Sequence, residues 1–493
     1  MSKYVLGIDQ STQGTKGLLF DEKGALLCRA DLPHKQYVDE RGWVEHDPEE
    51  IYANTIQVVK NLIEKAQIDK KEITVLGISN QRETALVWER KTGKPIYNAV
   101  VWQCARGTEI CKKIASEHEK AEEMVRAHTG LQLSPYFSAA KIAWVLQNVP
   151  GAQEKADKGE LCCGTIDSWL VYKLTGGKEF RTDYSNASRT QMFHIGNLSW
   201  DPEVCSLFEI PVSCLAEVTD SDGEYGYTDF EGYLDTPIPI HGVLGDSHGA
   251  LFGQGCTETG MIKTTYGTGS SIMMNIGKKP VYSNRVVTSL AWKLNGEVNY
   301  VLEGNINYTG AVITWLKDDL QMITSPGETE TLALDANPKD HTYLVPAFTG
   351  LGAPYWDSEA EGILTGMTRT TKRPEIVRAG LDCIAYQITD VVKAMSSEAG
   401  VAIGELRVDG GPTKNKYLMQ FQSDIANVTV QVPEAEELSG IGAAYAAGIA
   451  SGIYEKSVLN RMQRKEYNPQ MEENRRNILY NGWENAVQLV CKK

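Results

Sequence analysis

Tyr4-Val5-Leu6-Gly7-Ile8-Asp9-Gln10-Ser11-Thr12-Gln13-Gly14-Thr15-Lys16-Gly17-Leu18-Leu19-Phe20-Asp21 reads as two strands folded over a polar turn. Val5 to Ile8 and Leu18 to Phe20 are short apolar or β-branched runs of strand type. Between them stand one acid, several hydroxyls and a lysine, while Gly14 and Gly17 relieve backbone crowding where a ligand could approach. The turn lacks P-loop spacing, so a phosphate-facing hairpin and an ordinary surface hairpin both fit it. A partial echo downstream favours the first. Lys263-Thr264-Thr265-Tyr266-Gly267-Thr268-Gly269-Ser270-Ser271-Ile272-Met273-Met274 again sets hydroxyls and glycines between strand-like segments.

The chain has 493 residues, enough for two large domains or about three ordinary ones. Its 42% hydrophobic and 23% charged composition is that of a globular protein, with no disordered or low-complexity tract. The net charge of −15 argues against nonspecific nucleic-acid binding, and no run of Lys or Arg makes a local exception. Phosphates would therefore be held by local amides, hydroxyls and a metal. The ten cysteines show no zinc-type or disulfide-type spacing and are expected to be reduced thiols. Neither a signal peptide nor an apolar run of the ~20 residues of a membrane helix is evident, which predicts a cytoplasmic protein.

Ala25 to Ala30 is expected as the third strand of an antiparallel meander. Asp47-Pro48-Glu49-Glu50 then starts a helix, with Asp47 as N-cap and Glu50 able to close a capping box. Ile51, Thr55, Val58, Val59 and Leu62 give that helix one apolar face. Ile73 to Ile78 is a buried strand that delivers Ser79-Asn80-Gln81-Arg82-Glu83-Thr84 at its carboxyl end, where ligands bind in open α/β sheets. Arg82 and Glu83 fit either a polyhydroxylated ligand or a surface ion pair; Trp102 fits either a ligand wall or core packing. Tyr136 stands at the mouth of a helix that runs through Ile142 and Val145.

Thr182 to Thr190 reads as a polar loop, and residues 196–240 as connecting segments. Gly242 to Gly253 places Asp246 at a strand-to-helix junction, where its carboxylate can take a proton from a hydroxyl or cap the helix together with Ser247. His248 reads as structural. In the second half, Gly310 lies near a helix start, residues 343–357 form a Gly- and Pro-punctuated loop, and Pro374 opens a long helix. Leu406 to Asp409, Gly410-Gly411 and a helix from about Lys414 form an arrangement on which a nucleotide can lie. The small-residue helix Gly440 to Gly448 permits close packing, and a last amphipathic helix covers roughly 473–491.

These residues resemble the FGGY carbohydrate kinases over essentially the whole chain, and within that family the glycerol-phosphorylating members. The matching stretches are Trp43 to Pro48, Asn80 to Thr84, Val101 to Cys104, Thr264 to Gly269, Phe348 to Asp357 and Asp409 to Gly411. Tyr136 to Asn148 fits the family's first signature. Gly362 to Asp382 fits the second except at Gly380. The resemblance implies an α/β fold of two actin-like, ribonuclease-H-like domains, 1–252 and 253–493, with ATP and a polyol in the cleft between them and each hairpin a phosphate loop.

Residue by residue, the resemblance makes Asp246 the general base and Asp9 the Mg²⁺-holding acid. Ser11, Thr12, Gln13 and Lys16 would meet the phosphates, with Lys16 in place of the usual arginine. Thr268, Gly269, Gly310, Gly411 and Asn415 match nucleotide-contact positions. Arg82, Glu83, Trp102 and Tyr136 match polyol contacts, but Ser247 and Ser271 replace a glutamine and a phenylalanine. That exchange removes packing against a three-carbon substrate and adds two hydroxyls. Phosphorylation of glycerol is implied, with erythritol, threitol, xylitol or xylulose as longer alternatives. A homodimer or homotetramer is a family expectation. The control elements for fructose bisphosphate or histidine phosphorylation are absent around 226–240. A protein of another class, an inactive actin-like sensor, would keep this fold without turnover, yet retention of Asp9, Asp246 and both glycine loops favours the enzyme.

Overall fold

A computed structural model describes residues 3–491. The opening hairpin forms as read: Tyr4–Gln10 pairs antiparallel with Gly14–Phe20, which pairs antiparallel with Leu26–Pro33. Ile73–Asn80 and then Ile238–Gly245 add parallel on the other side, with the short strand Tyr227–Thr228 outermost. The Val5, Leu6, Ile8, Val75, Leu76 and Ile78 side chains are fully buried, because helices cover both faces of the sheet.

The second half repeats the order. Ile262–Tyr266 pairs antiparallel with Ser270–Gly277, and that strand with Glu297–Ile306, while Glu405–Asp409 and Thr429–Pro433 add parallel. Val287–Leu294 and Arg464–Tyr467 close the two edges. Each sheet is thus an antiparallel meander extended by parallel strands, so the carboxyl ends of Tyr4–Gln10 and Ile73–Asn80 come to face those of Ile262–Tyr266 and Glu405–Asp409 across a cleft.

Two helices lie between the sheets. Asp246–Gly253 and Leu438–Ala450 pack so closely that a Cβ on Gly442 would fall 1.9 Å from the Gly249 carbonyl oxygen, and one on Gly77 would fall 2.4 Å from that of Ala443. The small-residue reading of 440–448 is borne out, and the helix from the second half covers the first sheet.

Three local expectations change. Asp47 caps Pro48–Ala66 by accepting from the Glu49 N–H, but Glu50 closes no capping box; its carboxylate accepts from the Lys35 N–H instead. Thr182 to Thr190 is not a solvated loop: it is a short strand and a helical turn whose residues are buried. Its polar groups satisfy one another, Asp183 accepting from the Ser185 and Asn186 N–H groups and the Ser221 hydroxyl. Residues 196–240 include a helix, Pro202–Leu207, and four short strands or strand starts besides connections. No disulfide joins any of the ten cysteines, and among the described residues no helix is long and apolar enough to cross a membrane.

Candidate active site

The cleft encloses about 700 Å³. On its first wall, Asp9 ends a strand opposite Lys16 in the hairpin register and beside Ser79 in the parallel one. The Ser79 hydroxyl donates to Asp9 Oδ1 at 2.9 Å, and Lys16 Nζ stands 3.9 Å from Oδ2. Burial outweighs both partners and pushes the Asp9 carboxyl up to about 6. Lys16 also pairs at 2.7 Å with Glu437, which comes from the second half, ahead of the helix Leu438–Ala450.

Arg82 and Glu83, adjacent in sequence, turn to different partners, so the surface ion pair is corrected. Both are buried, Glu83 with a left-handed backbone (φ 58°). Arg82 gives Nε to Asp246 Oδ1 at 3.1 Å and both terminal nitrogens to Glu303, at 2.9 and 3.1 Å. Glu83 accepts from Arg189 Nε at 2.6 Å, and Arg189 reaches Glu303 at 3.0 Å. Burial opposes the charge on Glu303, yet Arg189 and Arg82 hold its carboxyl well below the usual carboxylate range.

Asp246 begins its helix without capping it; the residue before the helix makes no side-chain cap bond. Its carboxylate accepts from Arg82 and from the Ser247 N–H, and its side chain remains 35% exposed toward the cleft. His248 is fully buried, and burial and then Arg82 push its imidazole far down, consistent with a structural role. Trp102 donates Nε1 to the Thr12 hydroxyl at 2.9 Å and packs edge-on against Tyr136, their ring centres 5.6 Å apart. The facing wall holds Ser271, whose hydroxyl is buried without a hydrogen-bond partner.

Of the residues singled out in the sequence, Asp9, Thr12, Lys16, Arg82, Glu83, Trp102, Tyr136, Asp246, Ser247, Thr268, Gly269 and Ser271 line this one cleft. Five stand outside its lining. Ser11 bonds the Gly14 carbonyl within the first turn, and Gln13 is exposed. Gly310 donates its N–H to the Gly267 carbonyl beneath the second loop. Gly411 is exposed beside Gly410, which does line the cleft. Asn415 caps the helix Lys416–Ala426 and donates to Thr329. Sequence reasoning gave no role to Lys263 or Asp409, although both stand in quoted motif stretches, and it missed Asn305 and Glu437 in the cleft and Glu303 behind it, which sit inside a strand or before a helix with no motif to mark them.

The FGGY carbohydrate kinase N-terminal domain matches residues 4–253 and the C-terminal domain residues 262–451. Glycerol kinase 1 of Thermotoga maritima is 48% identical over 98% of this chain and 99% of its own, and the Bacillus cytotoxicus glycerol kinase 45% identical over 99% of each. Among solved structures, Plasmodium falciparum glycerol kinase with ADP superposes at a TM-score of 0.94 with 35% identity, covering 100% of this chain and 99% of that one. A xylulose kinase from Lactobacillus acidophilus shares the fold at a TM-score of 0.88, 20% identity and 99% and 97% coverage.

Proposed function

The chain belongs to the FGGY family of carbohydrate kinases, and we propose that it transfers the γ-phosphoryl group of ATP to a terminal hydroxyl of a small polyol, glycerol first. The observation that carries this reading is the partly exposed Asp246 carboxylate, held by Arg82 and the Ser247 N–H in a cleft that both hairpins line.

Asp246 accepts the proton as the substrate oxygen forms its bond to the γ-phosphorus and the bond to the ADP oxygen breaks. Arg82, Glu83, Trp102 and Tyr136 position the polyol. Ser11, Thr12, Gln13 and Lys16 on one side, and Thr268 and Gly269 on the other, meet the phosphates; Gly310, Gly411 and Asn415 support the nucleotide from outside the lining. Asp9 fits Mg²⁺, because a buried carboxylate with only a hydroxyl and a distant lysine beside it offers a hard anion to an oxygen-loving cation. When bound, that ion would neutralise charge developing on the phosphates. The residues otherwise act by positioning and by excluding water. The division at 252/253, assembly as a homodimer or homotetramer and a cytoplasmic location belong to the same proposal.

A second reading, a four- or five-carbon polyol, is favoured by the unpartnered Ser271 hydroxyl, which offers a hydrogen bond to an added substrate hydroxyl. ADP release measured with glycerol, erythritol, threitol and xylitol tests both readings. A clear preference for glycerol removes the second. Asp246→Asn is expected to lower kcat by roughly 10²–10⁴-fold; an unchanged rate would remove Asp246 as the base.

A further inference from the structure

Glu303 lies inside the strand Glu297–Ile306 of the second half, fully buried, yet its ion-pair partners Arg82 and Arg189 both belong to the first half. A buried carboxylate bound by two arginines in this way has a defined geometry, because a guanidinium is planar and its five N–H bonds point in fixed directions. Arg82 spends one bond on Asp246 and two on Glu303. Two remain, one on each terminal nitrogen, and Arg82 itself lines the cleft.

We propose that Glu303 is a positioning residue for phosphoryl transfer: by gripping the far edge of Arg82 from the opposite half, it aims the guanidinium at the polyol and limits Arg82 to a single bond with Asp246. The inference rests on the kinase reading above. Without that grip, Arg82 is free to rotate and take the Asp246 carboxylate in the two-pronged arrangement that arginine favours, which quenches a base. Arg189 completes the frame by joining Glu303 to Glu83, so two cleft-lining residues from the first half are oriented by one carboxylate of the second. The orientation of Arg82 toward Asp246 then depends on the docking of the halves.

The charges that bear on Asp246 come from several elements. Arg82 and Asp9 bear on it from the first half, and Lys263, which also interacts with Asp409, from the second. Loss of the Glu303 charge leaves Arg82, Arg189 and Lys263 less compensated. Arg82 is then drawn onto the Asp246 carboxylate, and the proton acceptor is less available to the substrate hydroxyl.

The test compares Glu303→Gln and Glu303→Asp with the parent enzyme, using the polyol of highest turnover and measuring kcat, polyol KM and the thermal midpoint. Glu303→Gln is expected to lower kcat at least tenfold and, with Arg82 no longer aimed at the polyol, to raise the polyol KM. Glu303→Asp, which keeps the charge but retracts it, is expected to lower kcat by less than Glu303→Gln does. Should Glu303→Gln fail to fold, the aspartate variant alone decides: parental kcat and KM overturn the proposal. A lower thermal midpoint with unchanged kcat and polyol KM marks a merely structural ion pair and also overturns it. Absence of turnover in the parent enzyme with every polyol overturns the kinase reading and this inference together, whereas a parental rate that Glu303→Gln leaves intact overturns only the positioning role.

Discussion

Asp9, the acid proposed to hold Mg²⁺, carries a stability cost of its own. Its carboxyl is raised from 3.8 to about 6 because burial outweighs Lys16 and Ser79. A raised carboxyl costs nothing below the unfolded value; the cost appears as pH climbs through the folded one and is complete above it, on the order of 3 kcal/mol for about two units. Asp9→Asn is therefore expected to raise the thermal midpoint of the ligand-free protein at pH 7.5, with no gain at pH 4, while abolishing Mg²⁺-dependent activity. An equal shift at both pH values would contradict the assigned cause. At this scale the sequence offered residue types and neighbours but not partners. Arg82 and Glu83 were visible as a pair of charges at a strand end, whereas their true partners, Glu303 and Arg189, lie more than a hundred residues away. Asn415 shows the converse: it sits beside the cleft motif, yet its side chain is occupied by capping and by Thr329.

Elements were legible wherever period and punctuation agreed. Val5 to Ile8, the Asp47-Pro48 helix start and the long helix Arg373–Ala399 all follow from local pattern and burial. Thr182 to Thr190 did not, because a polar segment whose groups bond one another inside the protein has the same composition as one bonded to water. The helix Leu438–Ala450 lies between these cases. Its small residues announced close packing but not against what, and the contact proves to be backbone to backbone with Asp246–Gly253. Gly442→Ala would force a methyl to 1.9 Å from the Gly249 carbonyl and is expected to destabilise the protein by roughly 1–3 kcal/mol, read from the denaturant midpoint. Gly327→Ala, with open space around its Cβ, is the control and should stay within about 0.5 kcal/mol. Equal effects in the two variants would refute the packing account.

Hydrogen bonds and ion pairs join the two halves. Ser221 N–H donates to the Lys293 carbonyl at 2.7 Å, Thr288 N–H to the Gly130 carbonyl at 3.0 Å, and the Tyr300 hydroxyl to the Ile195 carbonyl at 2.7 Å. Glu437 reaches back to Lys16 and Arg29. A ligand seated between such halves ties them further and binds only the assembled form. Mg·ADP at a hundred times its Kd is expected to add about 2.7 kcal/mol to stability. Asp246→Asn should keep this gain, since its loss is chemical, and Asp9→Asn should lose most of it. A gain retained in full by Asp9→Asn would place the metal elsewhere.

By itself the sequence determined the two hairpins, the strand ends and small-residue helix around them, and the family-specific residues that came to line one cleft, because each rests on local backbone preference or a contiguous motif. The tertiary structure alone decided which charges meet. Glu303 sits within a strand of otherwise ordinary composition, and only the docking of two sheets brings it onto Arg82 and Arg189. The low polarity of that interior makes the pairing obligatory, since a buried charge must find its opposite wherever the chain supplies it.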